Sequence, residues 1–171
     1  MANLRRASLT LVGVCAIAAM VVAAALAAPK GTTVKAVGKA SFKRNVGVSD
    51  TQHWNPGTIS VASGSRVTWK NVTRTGDPHT ITIVAKRDLP SGFDCSACDA
   101  ALRAHGVDPS TGRVAHPVVN VGAAGLDQPG DSLVLPPHGR VSALVTAPAG
   151  TTLYFMCSIH PWMQGRIKVH G

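Results

Sequence analysis

Short runs rich in Val, Ile and Thr, each four to seven residues long and each ended by turn residues, set the limits on this fold. They are Thr58–Val61, Arg66–Val72, His79–Val84, Ser132–Leu135, Val141–Thr146, Thr152–Met156 and Arg166–Val169. Runs this short cannot present several turns of an amphipathic helix, and their β-branched content suits strands. Arg66–Val72 alternates, with Val67, Trp69 and Asn71 on one face and Arg66, Thr68 and Lys70 on the other, the period of a half-buried strand. Many such strands at close spacing predict an all-β antiparallel sandwich or barrel. The 171 residues are enough for one domain with a substantial core.

One segment breaks the rhythm, at about 86–129. Asp94 is placed to cap a short helix over Cys95–His105, and Gly106 to end it. An irregular stretch with Pro109, Pro117 and Pro129 follows. A connection of this length in a small domain reads as an insertion between two strands, containing a helix, rather than as a second domain. The chain has no internal repeat and no glycine-rich phosphate loop.

The N-terminus reads as an export signal over residues 1–27. Arg5 and Arg6 precede an apolar run from Ala7 to Leu26, and Ala25-Leu26-Ala27 offers small residues for cleavage. The run approaches the ~20 residues of a membrane span, so an uncleaved anchor is the alternative. Residues 28–39 read as a tether or an early strand, and 40–171 as the folded domain. The chain carries 17 Lys+Arg against 8 acids, all Asp, for a formal charge of +9. The basic residues are scattered, with a mild cluster at Lys35, Lys39, Lys43 and Arg44. They form no basic helix interleaved with aromatics, which argues against a nucleic-acid partner and for a solvated surface that steers an encounter.

Loss of the signal removes Cys15 and leaves Cys95, Cys98 and Cys157. In an oxidising compartment cysteines pair, and Cys95 with Cys98 is the simplest pair. Their two-residue spacing also matches a redox motif. Cys157 is then the odd one, and an odd cysteine in an exported chain needs a reason.

The reason lies in Cys157-Ser158-Ile159-His160-Pro161-Trp162-Met163. Seven residues carry a thiolate, an imidazole and a thioether, spaced so that one loop brings all three to a soft ion. A fourth donor, His79, opens the strand after the Gly76-Asp77-Pro78 turn. His53 reads as lying in a polar loop and His105 as ending the insertion helix. His116 and His138 adjoin prolines, and His170 is near the terminus. Met156 directly precedes Cys157 and points to the other strand face. Two His and one Cys with a weak axial Met is the donor set of a blue-copper site. Pro78, Pro161 and Trp162 flank the two imidazoles and form a candidate docking surface for a partner protein.

These motifs carry a resemblance. The run from Trp54-Asn55-Pro56-Gly57 through Val67-Thr68-Trp69, with Pro78-His79 and Cys-x2-His-x2-Met, resembles the cupredoxins over roughly residues 40–171 outside the insertion. The gap between His160 and Met163 is most similar to that of amicyanin; plastocyanin has a longer one. The resemblance implies a Greek-key β-sandwich with one Cu(I)/Cu(II) ion at one end. His79, Cys157 and His160 would be equatorial ligands and Met163 axial. All four donors would be protein side chains, leaving no open position for a substrate, which argues against an enzyme; with the export signal, the reading is an extracytoplasmic, monomeric electron carrier with a redox protein partner. Many electron-transfer members have Asn where this chain has Thr80; that Asn braces the ligand loop. Copper storage or delivery is an alternative use of the same site. A structural zinc site from Cys95, Cys98, Cys157 and His160 is a remote one.

Overall fold

The computed structural model describes residues 31–92 and 94–171. The export segment 1–27 and the question of its cleavage lie outside the described residues. Among the described residues, twelve strands and one α-helix follow in chain order. The first six are β1 (Thr32–Val37), β2 (Ala40–Lys43), β3 (Gly47–Asp50), β4 (His53–Asn55), β5 (Thr58–Ala62) and β6 (Arg66–Asn71). Then come β7 (His79–Val84), α1 (Ser96–Ala104), β8 (Val118–Val119), β9 (Ser132–Leu135), β10 (Arg140–Leu144), β11 (Thr152–Met156) and β12 (Gln164–His170).

Two sheets form the sandwich, in the orders β10-β6-β1-β4 and β5-β12-β11-β7-β9-β8. The alternation in β6 holds, with Val67, Trp69 and Asn71 buried. Inward residues of both sheets make one core, including Val34, Val67 and Trp69 from the first and Ile81, Ile83, Leu135, Phe155 and Ile167 from the second. Trp69 meets Phe155 edge-on across the layers, at 6.1 Å between ring centroids. At Gly64 the chain turns between β5 and β6 with φ of 81°, a conformation glycine adopts without penalty.

The expected antiparallel arrangement holds for most pairs, but β1 with β6 and β5 with β12 are parallel. The chain passes between layers from β4 to β5, β5 to β6 and β6 to β7. Neighbours within a sheet are therefore often distant in sequence, and no hairpin fixes their relative direction. Residues Thr32–Val37, the early strand, lie inside the first sheet rather than in a tether. A further hairpin, β2 with β3, stands apart and is exposed along nearly its whole length, with Phe42 and Val48 each 73% exposed.

The segment from Lys86 to Pro129 covers the outer face of β7. All six residues of β7 are buried, which a strand with one open face could not achieve. Ile81 and Ile83 join the main core, while Val84 packs with Cys98 of α1 and Met156. Cys95, not Asp94, caps α1: its sulfur accepts from the Cys98 N–H at 3.1 Å. The disulfide fixes that sulfur over the first turn, so no carboxylate is needed there. Gly106 ends the helix at φ 61°.

Candidate metal centre

The end of β11 delivers Cys157, and the loop after it folds straight back. Met163 N–H donates to the His160 carbonyl at 2.8 Å, and Cys157 N–H to the Met163 carbonyl at 3.0 Å. Trp54 Nε1–H donates to the same Met163 carbonyl at 3.0 Å, tying the loop to β4. The antiparallel register of β7 with β11 then brings the start of β7 beside this loop.

Three ligand atoms converge there. His79, Cys157 and His160 each place one within 4.8 Å of the others. Cys157 Sγ lies 3.7 Å from Nδ1 of both His79 and His160. With bonds of about 2.0 Å to nitrogen and 2.3 Å to sulfur, one first-row ion bridging an S and an N spans about 3.7 Å at a wide angle. The donors present therefore fit a metal. His79, Cys157 and Met163 are fully buried, and His160 is 8% exposed. Met163 belongs to the same core cluster as Cys157. His79 Nε2 is buried with no hydrogen-bond partner, so the nitrogen of that ring that finds a partner is the one facing the cluster.

Burial sets the charge of each donor. It drives the His79 pKa down to about 4, and the neighbouring His160 adds to the shift. His160 is also lowered by burial, against the pull of Asp50 and Asp77. The Cys157 thiol is pushed up by loss of solvent. Two hydrogen bonds nonetheless hold its position. Thr80 N–H points at Cys157 Sγ at 3.3 Å, and Thr80 Oγ1 accepts the Ser158 N–H at 2.7 Å. Thr80 thus braces the loop with both its amide and its hydroxyl, and the hydroxyl continues to Thr82 Oγ1 at 3.0 Å.

Gln52 is a participant that sequence reasoning missed. It is 1% exposed, and its Nε2 lies 2.9 Å from Asp50 Oδ2 and 3.4 Å from His160 Nε2. Asp77 Oδ2 sits 3.9 Å from the same imidazole nitrogen. A glutamine next to an exposed strand carries no sequence signal that it turns inward.

Among the flanking residues, Pro78 is exposed and Trp162 is 42% exposed, with Trp162 edge-on to His160 at 5.3 Å between centroids. Pro161 is buried and offers no open ring, because the tight loop turns it inward. Ile159, 39% exposed, takes a place on this surface instead. Cys95 and Cys98 form a disulfide. Their sulfurs are joined to each other, which removes them from a zinc site with Cys157 and His160. Cys157 is the free cysteine among the described residues. His53 lies in β4 rather than in a loop, exposed, and His105 is fully buried outside the cluster.

No protein-family model matches the chain, and no curated protein matches it. Solved structures do. A purple cupredoxin from Nitrosopumilus maritimus is 15% identical, with a TM-score of 0.44, over 81% of this chain and 98% of that one. The structural neighbours of this chain are cupredoxins. Auracyanin A, a blue copper protein of Chloroflexus aurantiacus, is 18% identical at a TM-score of 0.43, over 80% of this chain and 98% of its own. The oxidised plastocyanin of Dryopteris crassirhizoma is 20% identical at 0.39, over 81% and 99%. At TM-scores below 0.5 these likenesses say nothing about the site, whose chemistry follows from the side chains described above.

Proposed function

We propose that the chain is a mononuclear type 1 copper protein that carries electrons outside the cytoplasm. The observation that carries this reading is the convergence of His79, Cys157 and His160 at a buried point, with Met163 in the same loop. A thiolate, two imidazoles and a thioether are the soft donors that favour copper over magnesium, calcium or manganese. His79, Cys157 and His160 would hold the ion, with the Met163 thioether as a weaker fourth donor. Bound copper would supply one-electron exchange between Cu(I) and Cu(II).

The residues around it do the rest. Burial of His79, Cys157 and Met163 keeps water and substrates away, which supports a carrier rather than an enzyme. Thr80 and Trp54 hold the loop in place, so the donors need move little between oxidation states. His160 is the donor that reaches the surface, and its edge meets Trp162. Trp162, Ile159 and Pro78 then form the face on which a redox protein docks, with the scattered basic residues steering the approach. The apolar N-terminal segment and the disulfide support export.

Addition of Cu(II) to the mature protein is expected to give an intense visible charge-transfer band that Cys157→Ser abolishes. A colourless copper complex refutes the type 1 site. Electron self-exchange too slow for turnover, in a coloured protein, refutes the carrier role.

A further inference from the structure

His105 sits in the insertion as the C-terminal cap of α1, fully buried. Both ring nitrogens are engaged: Nδ1 meets the His116 carbonyl, and Nε2 lies 2.8 Å from Ser132 Oγ. From Ser132 the contacts continue inward. Ser132 Oγ is 2.8 Å from Thr82 Oγ1, which is 3.0 Å from Thr80 Oγ1 and 2.9 Å from Ser158 Oγ. Thr80 and Ser158 flank the metal-binding residues His79 and Cys157 in sequence. All four hydroxyl residues are buried.

The direction of this chain follows from what each group can donate. A carbonyl only accepts, so the His105 proton is on Nδ1. With that proton on Nδ1, the lone pair of Nε2 is placed to accept from Ser132. At the other end Ser158 N–H only donates, so Thr80 Oγ1 accepts it, and Thr82 Oγ1 offers a place for the Thr80 proton. Four hydroxyl protons face four contacts: Thr80 with Thr82, Ser158 with Thr82, Thr82 with Ser132, and Ser132 with His105. With His105 Nε2 as the acceptor, each of the four protons has a place in the line. A proton on Nε2 alone would leave Nδ1 facing the His116 carbonyl with no proton between two acceptors, which is costly in an interior.

We propose that His105 is a positioning residue for the metal-binding loop. Its ring, protonated at Nδ1 and accepting at Nε2, orders a one-way line of hydroxyls that ends at Thr80. There the hydroxyl holds Ser158 N–H, and the amide of the same residue donates to Cys157 Sγ. The insertion thereby reaches the thiolate from the far side of β7. Its effect on the metal rests on the type 1 copper reading; the proton order does not. Weakening the Thr80 amide bond leaves more electron density on the sulfur, favours Cu(II) and lowers the reduction potential.

The first arm needs no copper. Nitrogen-15 NMR of the copper-free protein is expected to show His105 protonated at Nδ1 and a slowly exchanging Ser132 hydroxyl. A ring protonated at Nε2 overturns the proposal. The second arm uses the copper-loaded protein. His105→Leu and Ser132→Ala are each expected to lower the reduction potential and shift the visible band. His105→Gln, whose amide oxygen can accept from Ser132, is expected to move both back towards wild type. Ser132→Ala carries this arm if His105→Leu does not fold. An unchanged potential and band in Ser132→Ala overturns the proposal. If the wild-type protein takes no colour with copper, the function proposed above is what has failed, and the NMR arm still decides this one.

Discussion

Metal affinity should follow pH with a slope of one proton. In the metal-free protein Cys157 is a thiol whose pKa burial pushes up, and burial pushes both imidazoles down, His79 to about 4, so that both are neutral around pH 7. Near neutrality a metal must then displace one proton, from Cys157, and at pH 5 to 6 fewer than three. One proton per metal means a tenfold change in dissociation constant per pH unit, about 1.4 kcal/mol. The informative interval is pH 5 to 6. Imidazoles at their ordinary value of 6.5 would also be charged there, and three displaced protons would give up to about a thousandfold change per unit. Anaerobic competition for Cu(I) against a coloured chelator, at half-unit steps from pH 5 to 8, measures the slope. Proton release in weak buffer measures it independently. A slope near three between pH 5 and 6 refutes the depressed imidazoles. A slope of zero near neutrality shows that Cys157 is already a thiolate and refutes the effect of burial on the thiol.

Stability of the metal-free protein should depend on the same groups. The unfolded state takes up protons at His79 below pH 6.5 while the folded state resists to about 4, so stability is full above 6.5 and falls by roughly 3 kcal/mol as the pH drops to 4. At the alkaline end the raised Cys157 pKa means stability is lost as pH rises past 9; urea midpoints across pH 4–10 trace both limbs. Phe155→Ala should cost about 3–5 kcal/mol, because the ring is fully buried between Trp54 and Trp69, read as a drop in denaturation midpoint without a change in slope. Gly165→Ala should cost about 1–3 kcal/mol by the same measurement, since its Cβ would lie 2.4 Å from Phe155 Cζ and 2.9 Å from the Gly57 carbonyl oxygen. Replacing Cys95 and Cys98 by serine should leave the copper spectrum in place, as neither belongs to the metal cluster; loss of the band would overturn that separation.

Much of the fold was legible because strands announce themselves locally. Alternation in Arg66–Asn71 and the β-branched run His79–Val84 set the strands, and neighbouring turn residues set their ends. The misses share a cause. The hairpin of Ala40–Lys43 with Gly47–Asp50 has no buried face, so no apolar pattern marked it. The parallel pairs depend on crossings between layers, which no short window records. Cap assignment at α1 went to Asp94 because carboxylates are the usual caps, whereas a disulfide sulfur took the position.

The sequence by itself named the candidate donors. Cys157, His160 and Met163 sit within seven residues, so chain geometry alone brings them round one point, and donor softness names the ion that suits them. Tertiary structure decided everything that reaches this loop from afar. The β7–β11 register brings His79 to Cys157 across 78 positions. Gln52 reaches His160 across 108, and the hydroxyl line from His105 crosses from the insertion to the loop. A short loop encodes its own contacts in its spacing. Contacts made through a register or a covering segment exist only once the strands that carry them have paired.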